Sequence, residues 1–254
     1  MKSKTLLIFI VFLVVIAINA HAQKKKQTSL PVEKSQTTTP TEGQAVPVKP
    51  APNEQAQHYF KKYAMAMRWN DDQVAKDALY DMIVENPKND SLIFALAYLY
   101  YENQQYAPTM LVAQELLARD AKNLGYLELS GVSFENLGLL DKALQNFESI
   151  YLLSNNTMAL YKVAFLQYDL KRFNEALTNV DILLGKPDIE TLQAGFNDGQ
   201  NKPKDYPLKL AVMNLKGLIL EGNNDKDGAK KIYGDILKLS PDFQPAKLNL
   251  EKLK

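Results

Sequence analysis

One short polar segment of the chain carries oxygen ligands at a spacing that could bind a metal ion. Residues 223–228 read NNDKDG, with side-chain oxygens at Asn223, Asp225 and Asp227 followed by a glycine, which is the order that opens a calcium-binding loop. Such a loop needs a bidentate glutamate six residues after the glycine, and Gly234 stands there. The segment therefore predicts a turn, and we expect no metal site.

Catalytic side chains are scarce throughout the sequence. The chain has no cysteine and two histidines, His21 and His58, which excludes disulfides, thiolate nucleophiles and cysteine-based metal sites. Most schemes that pair a nucleophile with a base, or hold a hydrolytic metal, need more of these groups. No glycine-rich phosphate loop is present. We therefore expect that the protein is not an enzyme and that it binds no cofactor.

The first 22 residues have the pattern of a cleaved export signal. Two lysines precede an apolar run over residues 6–20, and a small-x-small motif ends at Ala22, so we predict cleavage before Gln23. An uncleaved anchor is the alternative, but the run is shorter than the roughly 20 residues that span a bilayer. We expect an exported protein of the periplasm or envelope surface, soluble after cleavage and without stable membrane insertion.

The composition of residues 23–55 predicts a disordered linker. They are rich in proline, threonine, glutamine and lysine and contain no aromatic residue, so they bury too little apolar surface to offset the entropy of ordering. The segment is either a spacer or an inert connection. The net charge of the whole chain is +1, and so near-neutral a balance offers no field for nucleic acid.

The rest of the chain repeats one pattern at a period near 34 residues. The rows are 56–89, 90–123, 124–156, 157–187 and 210–243. The first segment of four rows carries a small residue at one place: Ala97, Gly131, Ala164 and Gly217. The second segment carries another: Ala75, Ala143, Ala176 and Ala229. Two helices approach closely only where neither side chain is bulky, so each row predicts a helical hairpin.

In these residues the sequence resembles the tetratricopeptide repeat family, whose 34-residue helix–turn–helix unit they match. Four positions depart from the family pattern: Tyr63 and Thr109 replace small residues, and Ala121 and Asn155 stand where proline is usual. The resemblance implies an all-α, right-handed α-solenoid over residues 56–254 whose first helices line a concave groove. In this family the groove usually takes an extended peptide or a partner's helix.

Two segments fall outside the repeats. Residues 185–206 form an insertion, and the turn signal at Asn197 and Asp198 predicts a β-hairpin or an ordered loop. The insertion is either part of the binding face or a mobile decoration. Residues 244–254 place apolar residues at helical spacing and predict a helix that caps the stack.

Reading positions i, i+4 and i+7 along each first helix gives the predicted groove. Its residues are Phe60, Arg68, Phe94, Tyr98, Tyr101, Glu102, Glu128, Glu135, Tyr161, Phe165, Tyr168, Asp169, Leu218 and Glu221. Aromatic stripes of this kind also occur as core. If exposed, an aromatic groove rimmed by carboxylates favours a partner with apolar anchors and some lysine or arginine.

One type of partner is disfavoured. The chaperone-binding members of the family hold a terminal carboxylate with lysine and asparagine, and the matching places here are Phe60, Ala64, Ala95 and Gly125. We therefore predict an exported scaffold or adaptor that binds protein partners, in envelope assembly or secretion. The alternatives are a glycan- or peptide-binding protein of the envelope and a spacer that self-associates.

Overall fold

The computed structural model describes residues 52–198, 200 and 202–254. The predicted signal peptide and residues 23–51 of the predicted linker lie outside them. No helix in these described ranges is long and apolar enough to cross a bilayer.

Within the described residues the chain forms eleven helices and one two-stranded sheet. In chain order they are α1 (Pro52–Arg68), α2 (Asp72–Glu85), α3 (Asp90–Glu102), α4 (Tyr106–Arg119), α5 (Leu124–Asn136), α6 (Leu140–Ser154), α7 (Thr157–Asp169), α8 (Phe173–Leu184), β1 (Gln193–Asn197), β2 (Pro203–Pro207), α9 (Leu208–Gly222), α10 (Lys226–Leu239) and α11 (Gln244–Lys252). Two boundaries differ from the prediction. Helix α1 begins at Pro52, inside the predicted linker, since proline is well suited to a first helical turn. Helix α9 begins at Leu208.

The helices pack as five successive hairpins, α1–α2, α3–α4, α5–α6, α7–α8 and α9–α10. Extensive contacts join each helix to the next in the chain, and the first helices also touch from repeat to repeat, as in α3–α5 and α7–α9. The predicted all-α solenoid is therefore confirmed. Its core consists of six clusters of buried apolar residues, which lie within and between the hairpins.

Small residues lie where the helices cross. Ala75, Ala97, Ala164 and Ala176 are fully buried, because the partner helix approaches too closely for a longer side chain. Thr109 takes the small place in the second row and is also fully buried. Its Oγ1 donates to the carbonyl oxygen of Gln105 at 2.8 Å, so the extra hydroxyl is satisfied within its own helix.

The turn inside each hairpin uses one left-handed residue. The five are Asn70, Gln104, Gly138, Lys171 and Asn224, with φ between 53° and 76°. Side-chain caps start several of the helices that follow a turn: Asp71, for example, accepts from the Val74 amide at 3.1 Å and Asn156 from the Ala159 amide at 3.0 Å. These caps satisfy amide groups that a helix start leaves unpaired.

The insertion contains the predicted β-hairpin. Strands β1 and β2 pair antiparallel, with Ala194 opposite Tyr206. Tyr206 is buried and meets the ring of Phe243 at 5.0 Å in a T-shaped contact. On the other side, Thr157 Oγ1 donates to the carboxylate of Asp188 at 2.8 and 2.9 Å. The insertion is thus tied to the start of the fourth row and to the end of the fifth.

Helix α11 closes the stack, as predicted. Phe243 and Ala246 are fully buried against α10. Asn249 donates to the side-chain oxygen of Asn214 at 3.2 Å, and both residues are buried. The last hairpin therefore has its open side covered, and its buried polar atoms are paired.

Candidate binding groove

Equivalent residues of the first helices lie near one another from repeat to repeat. Four residues after the small place stand Met67, Tyr101, Glu135, Tyr168 and Glu221. Tyr101 interacts electrostatically with Glu135, and Tyr168 with Glu221. From the second row to the fifth, tyrosine and glutamate alternate at this place. We call Tyr101, Glu135, Tyr168 and Glu221 the inner ladder.

Two rows carry the same aromatic triplet. Tyr101 lies 6.1 Å from Tyr98 and 6.5 Å from Tyr106 between ring centroids. In the fourth row Tyr168 lies 6.4 Å from Phe165 and 6.0 Å from Phe173. These separations suit edge-to-face aromatic pairs. The sequence analysis missed Tyr106 and Phe173. Each is the first residue of the second helix in its row. An aromatic residue at the same place in two rows could have identified them.

The predicted groove aromatics are neither fully core nor fully exposed. Tyr98 is 40% exposed, whereas Tyr101, Tyr161, Phe165 and Tyr168 are half-buried and pack on core clusters. Burial raises the pKa of the Tyr161 hydroxyl. These rings therefore pack on the core and keep part of their surface accessible.

A partly buried ion pair joins the third and fourth rows on this face. Lys162 Nζ lies 2.7 Å from Glu135 Oε1, and only 7% of the Glu135 side chain is exposed. Lys162 Nζ also lies 5.7 Å from the centroid of the Phe147 ring. Lys162 was absent from the predicted site, because it is one residue off the stripe and its role depends on how α5 and α7 cross.

Further carboxyl groups of the groove are desolvated. Burial raises the pKa of Glu128. It also raises the pKa of Asp169, with a further upward contribution from Glu135 and a downward one from Lys162. Glu102 is exposed, and its hydrogen bond with Tyr98 adds to the effect of burial in raising the tyrosine pKa. Desolvation disfavours a charged carboxylate, so the charged forms of these side chains lower the stability of the fold.

The last glutamate of the inner ladder is paired inside its own repeat. Tyr233 Oη donates to Glu221 Oε1 at 2.5 Å. Burial first, and then this bond, raise the pKa of Tyr233. Leu218, three residues before Glu221, is half-buried. The carboxylate of the fifth row, Glu221, is thus already bound to a neutral hydroxyl donor.

Some predicted site residues lie apart from this cluster. Within the described part of the chain, no hydrogen bond, ion pair or ring contact joins Phe60 or Arg68 to the other predicted residues, and both are exposed on α1. Phe94 is half-buried and packs on Tyr126, with ring centroids 5.3 Å apart. The contacts among the predicted residues therefore lie in the second to fifth rows.

The metal-like segment at residues 223–228 forms the turn between α9 and α10. Asp225 Oδ1 accepts from the Gly228 amide at 2.9 Å and caps α10. Among the described residues, no group of three or more histidine, aspartate and glutamate side chains is arranged to hold a metal ion. The first carboxylate of the motif, that of Asp225, thus has a structural partner.

A depression of about 560 Å³ lies between α4 and α6. Residues of α4 and α6 line it, together with Ser130 and Phe134 of α5. Most of its lining residues are polar, and Lys142 is the one ionisable residue among them.

The fold is shared with solved structures of low sequence identity. No protein-family model matches the chain, and no curated protein matches it either. A tetratricopeptide repeat protein from Parabacteroides merdae has a TM-score of 0.63 at 15% identity, covering 79% of this chain and 72% of that one. YrrB, described as a tetratricopeptide repeat protein with an unusual peptide-binding site, has a TM-score of 0.61 at 13% identity, covering 79% and 93%. MamA has a TM-score of 0.58 at 14% identity, covering 73% and 92%.

Proposed function

The chain has the tetratricopeptide-repeat fold, and from this premise we propose that it is a non-enzymatic scaffold whose groove binds a segment of a partner protein. The observation that carries the proposal is the inner ladder, where half-buried tyrosines alternate with carboxylates over four successive rows. Half-buried aromatic side chains supply contact area with little entropy left to lose, which is typical of protein-binding surfaces.

The chemistry of the groove favours a particular kind of segment. Tyr98, Tyr101 and Phe165 offer apolar contact, and Glu102, Glu128 and Asp169 offer negative charge beside it. A segment with apolar side chains and some lysine or arginine is complementary to both. The peptide-binding site named for YrrB supports this type of ligand for the fold.

The place of action that we propose is outside the cytoplasm. The leader over residues 1–22, with its small-x-small motif before Gln23, supports export. The proline-rich residues 23–51 would then connect the processed end to the solenoid. We propose a role in envelope assembly or secretion on the basis of this leader together with the groove.

Glycan binding receives less support. Sugar rings stack on aromatic faces that are open to solvent, and Tyr101, Tyr161, Phe165 and Tyr168 are half-buried with neighbours at their edges. Tyr98 is the more open ring of the cluster. Binding to a glycan array that depends on Tyr98 would favour this alternative over a protein partner.

The test is crosslinking in the native cell followed by mass spectrometry. Wild type is compared with a variant combining Tyr98→Ala, Tyr101→Ala and Phe165→Ala. A matched control combines Leu111→Ala, Leu152→Ala and Leu239→Ala, which removes exposed apolar side chains from the outer helices α4, α6 and α10.

Circular dichroism first establishes that both variants retain wild-type helix content. The proposal expects a protein that crosslinks to wild type and to the control but is lost from the groove variant. Crosslinks that persist unchanged in the groove variant, or that map to residues 185–206, would show that the groove is not the binding site.

A further inference from the structure

Glu135 is an unusual carboxylate because it is buried and only half paired. Its side chain is 7% exposed, and Oε1 is bound by Lys162 at 2.7 Å. Its Oε2 is the one buried side-chain nitrogen or oxygen atom within the described residues that has no hydrogen-bond partner. A charged oxygen that is buried without a hydrogen-bond partner destabilises the fold, so a donor placed at Oε2 would be favourable.

The surroundings of Glu135 carry more acid than base. Asp169 interacts with both Glu135 and Lys162, and Glu128 and Glu135 both act on Tyr101. Glu135 and Asp169 thus share the neighbourhood of Lys162, and Glu128 and Glu135 share that of Tyr101. That lysine is already bound to Oε1 of Glu135, and Glu128 has no hydrogen bond or ion pair in the described part of the chain.

Aromatic rings stand on either side of Glu135 along the inner ladder. Tyr101 precedes it by one repeat and Tyr168 follows it by one repeat, and each belongs to an aromatic triplet. A cation placed over the face of such a ring is attracted by the negative charge of the ring face. The rings also give the stem of a long side chain apolar surface to lie on.

We propose that Glu135, Glu128 and Asp169, between the rings of Tyr101 and Tyr168, form a subsite for one cationic side chain of the bound partner segment. An arginine or lysine fits this chemistry, because its N–H donors would satisfy Oε2 and its charge would offset the surplus acid. The inference rests on the proposed function and adds to it the residue type that the third row recognises.

The fifth row gives an internal contrast. Glu221 occupies the same ladder place as Glu135, but it accepts a hydrogen bond from the buried Tyr233 of its own hairpin. It has no buried oxygen that lacks a partner. The structure therefore assigns the cation subsite to the third row and not to every carboxylate of the groove.

The test uses two small probes with the purified protein. N-acetyl-arginine amide carries the guanidinium, and N-acetyl-citrulline amide is its neutral isostere. Chemical-shift titration of the ¹⁵N-labelled protein is expected to show the arginine probe binding at least about tenfold more tightly, a difference of about 1.4 kcal/mol. The shifted amides should lie on α5 and α7.

Three variants make the test specific. Glu135→Gln keeps the shape of the side chain and an acceptor for Lys162, and it should weaken binding of the arginine probe about tenfold. Glu128→Gln should weaken it as well, although this change is expected to stabilise the fold. Glu251→Gln removes an exposed carboxylate of α11 and should leave binding unchanged.

Equal binding of the two probes, absence of binding of the arginine probe, or equal effects of Glu135→Gln and Glu251→Gln would each overturn the subsite. These outcomes are separable from the fate of the proposed function. A partner that crosslinks to the groove and is held equally by Glu135→Gln removes the subsite and leaves the scaffold. Selective arginine binding without a crosslinked partner removes the scaffold and leaves the subsite.

Discussion

Gly217 of α9 packs directly on the ring of Tyr233 in α10. A methyl group added at Gly217 would lie 2.4 Å from Cε1 of that ring and 2.6 Å from Cζ. Tyr233 is fully buried and its hydroxyl is bound to Glu221, so the ring has nowhere to move. Glycine at this place is what allows the two helices of the fifth repeat to meet.

Gly217→Ala should therefore destabilise the protein. Forcing a methyl group into a filled site typically costs about 1–3 kcal/mol, and urea unfolding would show it as a lower midpoint. Gly234→Ala is the matched change in α10, where an added methyl group meets nothing within 4 Å. It should stabilise by about 0.5–1 kcal/mol, because alanine has the better helix propensity. Equal effects of the two changes would contradict the packing argument.

Proline should have opposite effects on stability at the two places, Ala121 and Asn155, where the family usually has it. Asp120, before Ala121, has φ −139° and ψ 90°, which is close to the −143° and 91° of Ser240 before Pro241. The Ala121 amide makes no hydrogen bond within the described residues. Ala121→Pro should therefore raise the free energy of unfolding by about 0.4–1 kcal/mol, through a less flexible unfolded chain.

Asn155→Pro should do the reverse. Asn155 has φ 52°, and its amide donates to the Tyr151 carbonyl oxygen at 2.7 Å. Proline fixes φ near −65° and has no amide proton, so a loss of roughly 3 kcal/mol is expected. Thermal unfolding of the two single variants side by side provides the measurement. A proline that is tolerated at 155 would mean that the left-handed end of α6 is not required.

Glu128→Gln should stabilise the protein in a pH-dependent manner. Burial raises the pKa of Glu128 in the folded state, whereas in the unfolded chain a glutamate titrates at about 4.3. Between these two pKa values the folded state holds a proton that the unfolded state has lost. Wild-type stability therefore falls as pH rises through this window.

The glutamine does not titrate, so the variant should be more stable than wild type at pH 7. Its advantage should shrink as pH falls through the folded-state pKa and disappear below the unfolded one. Urea midpoints across this pH series measure the effect, with Glu251→Gln as the control for losing one charge. A gain that is constant with pH would point to a cause other than desolvation.

The insertion should behave as part of the fold. Tyr206 is 3% exposed and contacts Phe243, and removing a buried aromatic side chain typically costs about 3–5 kcal/mol. Tyr206→Ala should lower the unfolding midpoint and speed amide hydrogen exchange in α11. Lys202→Ala, an exposed change in the same insertion, should do neither. Unchanged exchange in α11 would mean that the hairpin and the cap are independent.

Much of this fold could be predicted because its signals are local. A small residue at a crossing, a polar turn and a 34-residue period each follow from steric demands within one hairpin, and Ala97 and Ala164 are buried as that argument requires. The role of Asn155 could not be predicted from the sequence. The absence of proline there looks like a neutral departure until the left-handed φ of the residue is known.

The candidate groove residues could be listed from the sequence, but their contacts could not. The stripe that contains Tyr101, Glu135 and Tyr168 follows from helical spacing. Whether a ring is open or half-buried depends on the neighbouring repeat, and the bond from Lys162 to Glu135 depends on the crossing of two helices that are distant in sequence. Such details arise from tertiary geometry, which a repeat pattern does not specify.

The restriction of extensive contacts to neighbouring elements also bears on how the chain folds. Since each hairpin gains its partners within one repeat length, loop closure costs little and folding can start in any row and spread. The ends should open first. At the far end, α11 and the β-hairpin shield the last row, whereas no preceding described hairpin covers α1. Unfolding should therefore begin at the first row and reach the Glu135 region late, which keeps the centre of the groove formed while its amino-terminal end breathes.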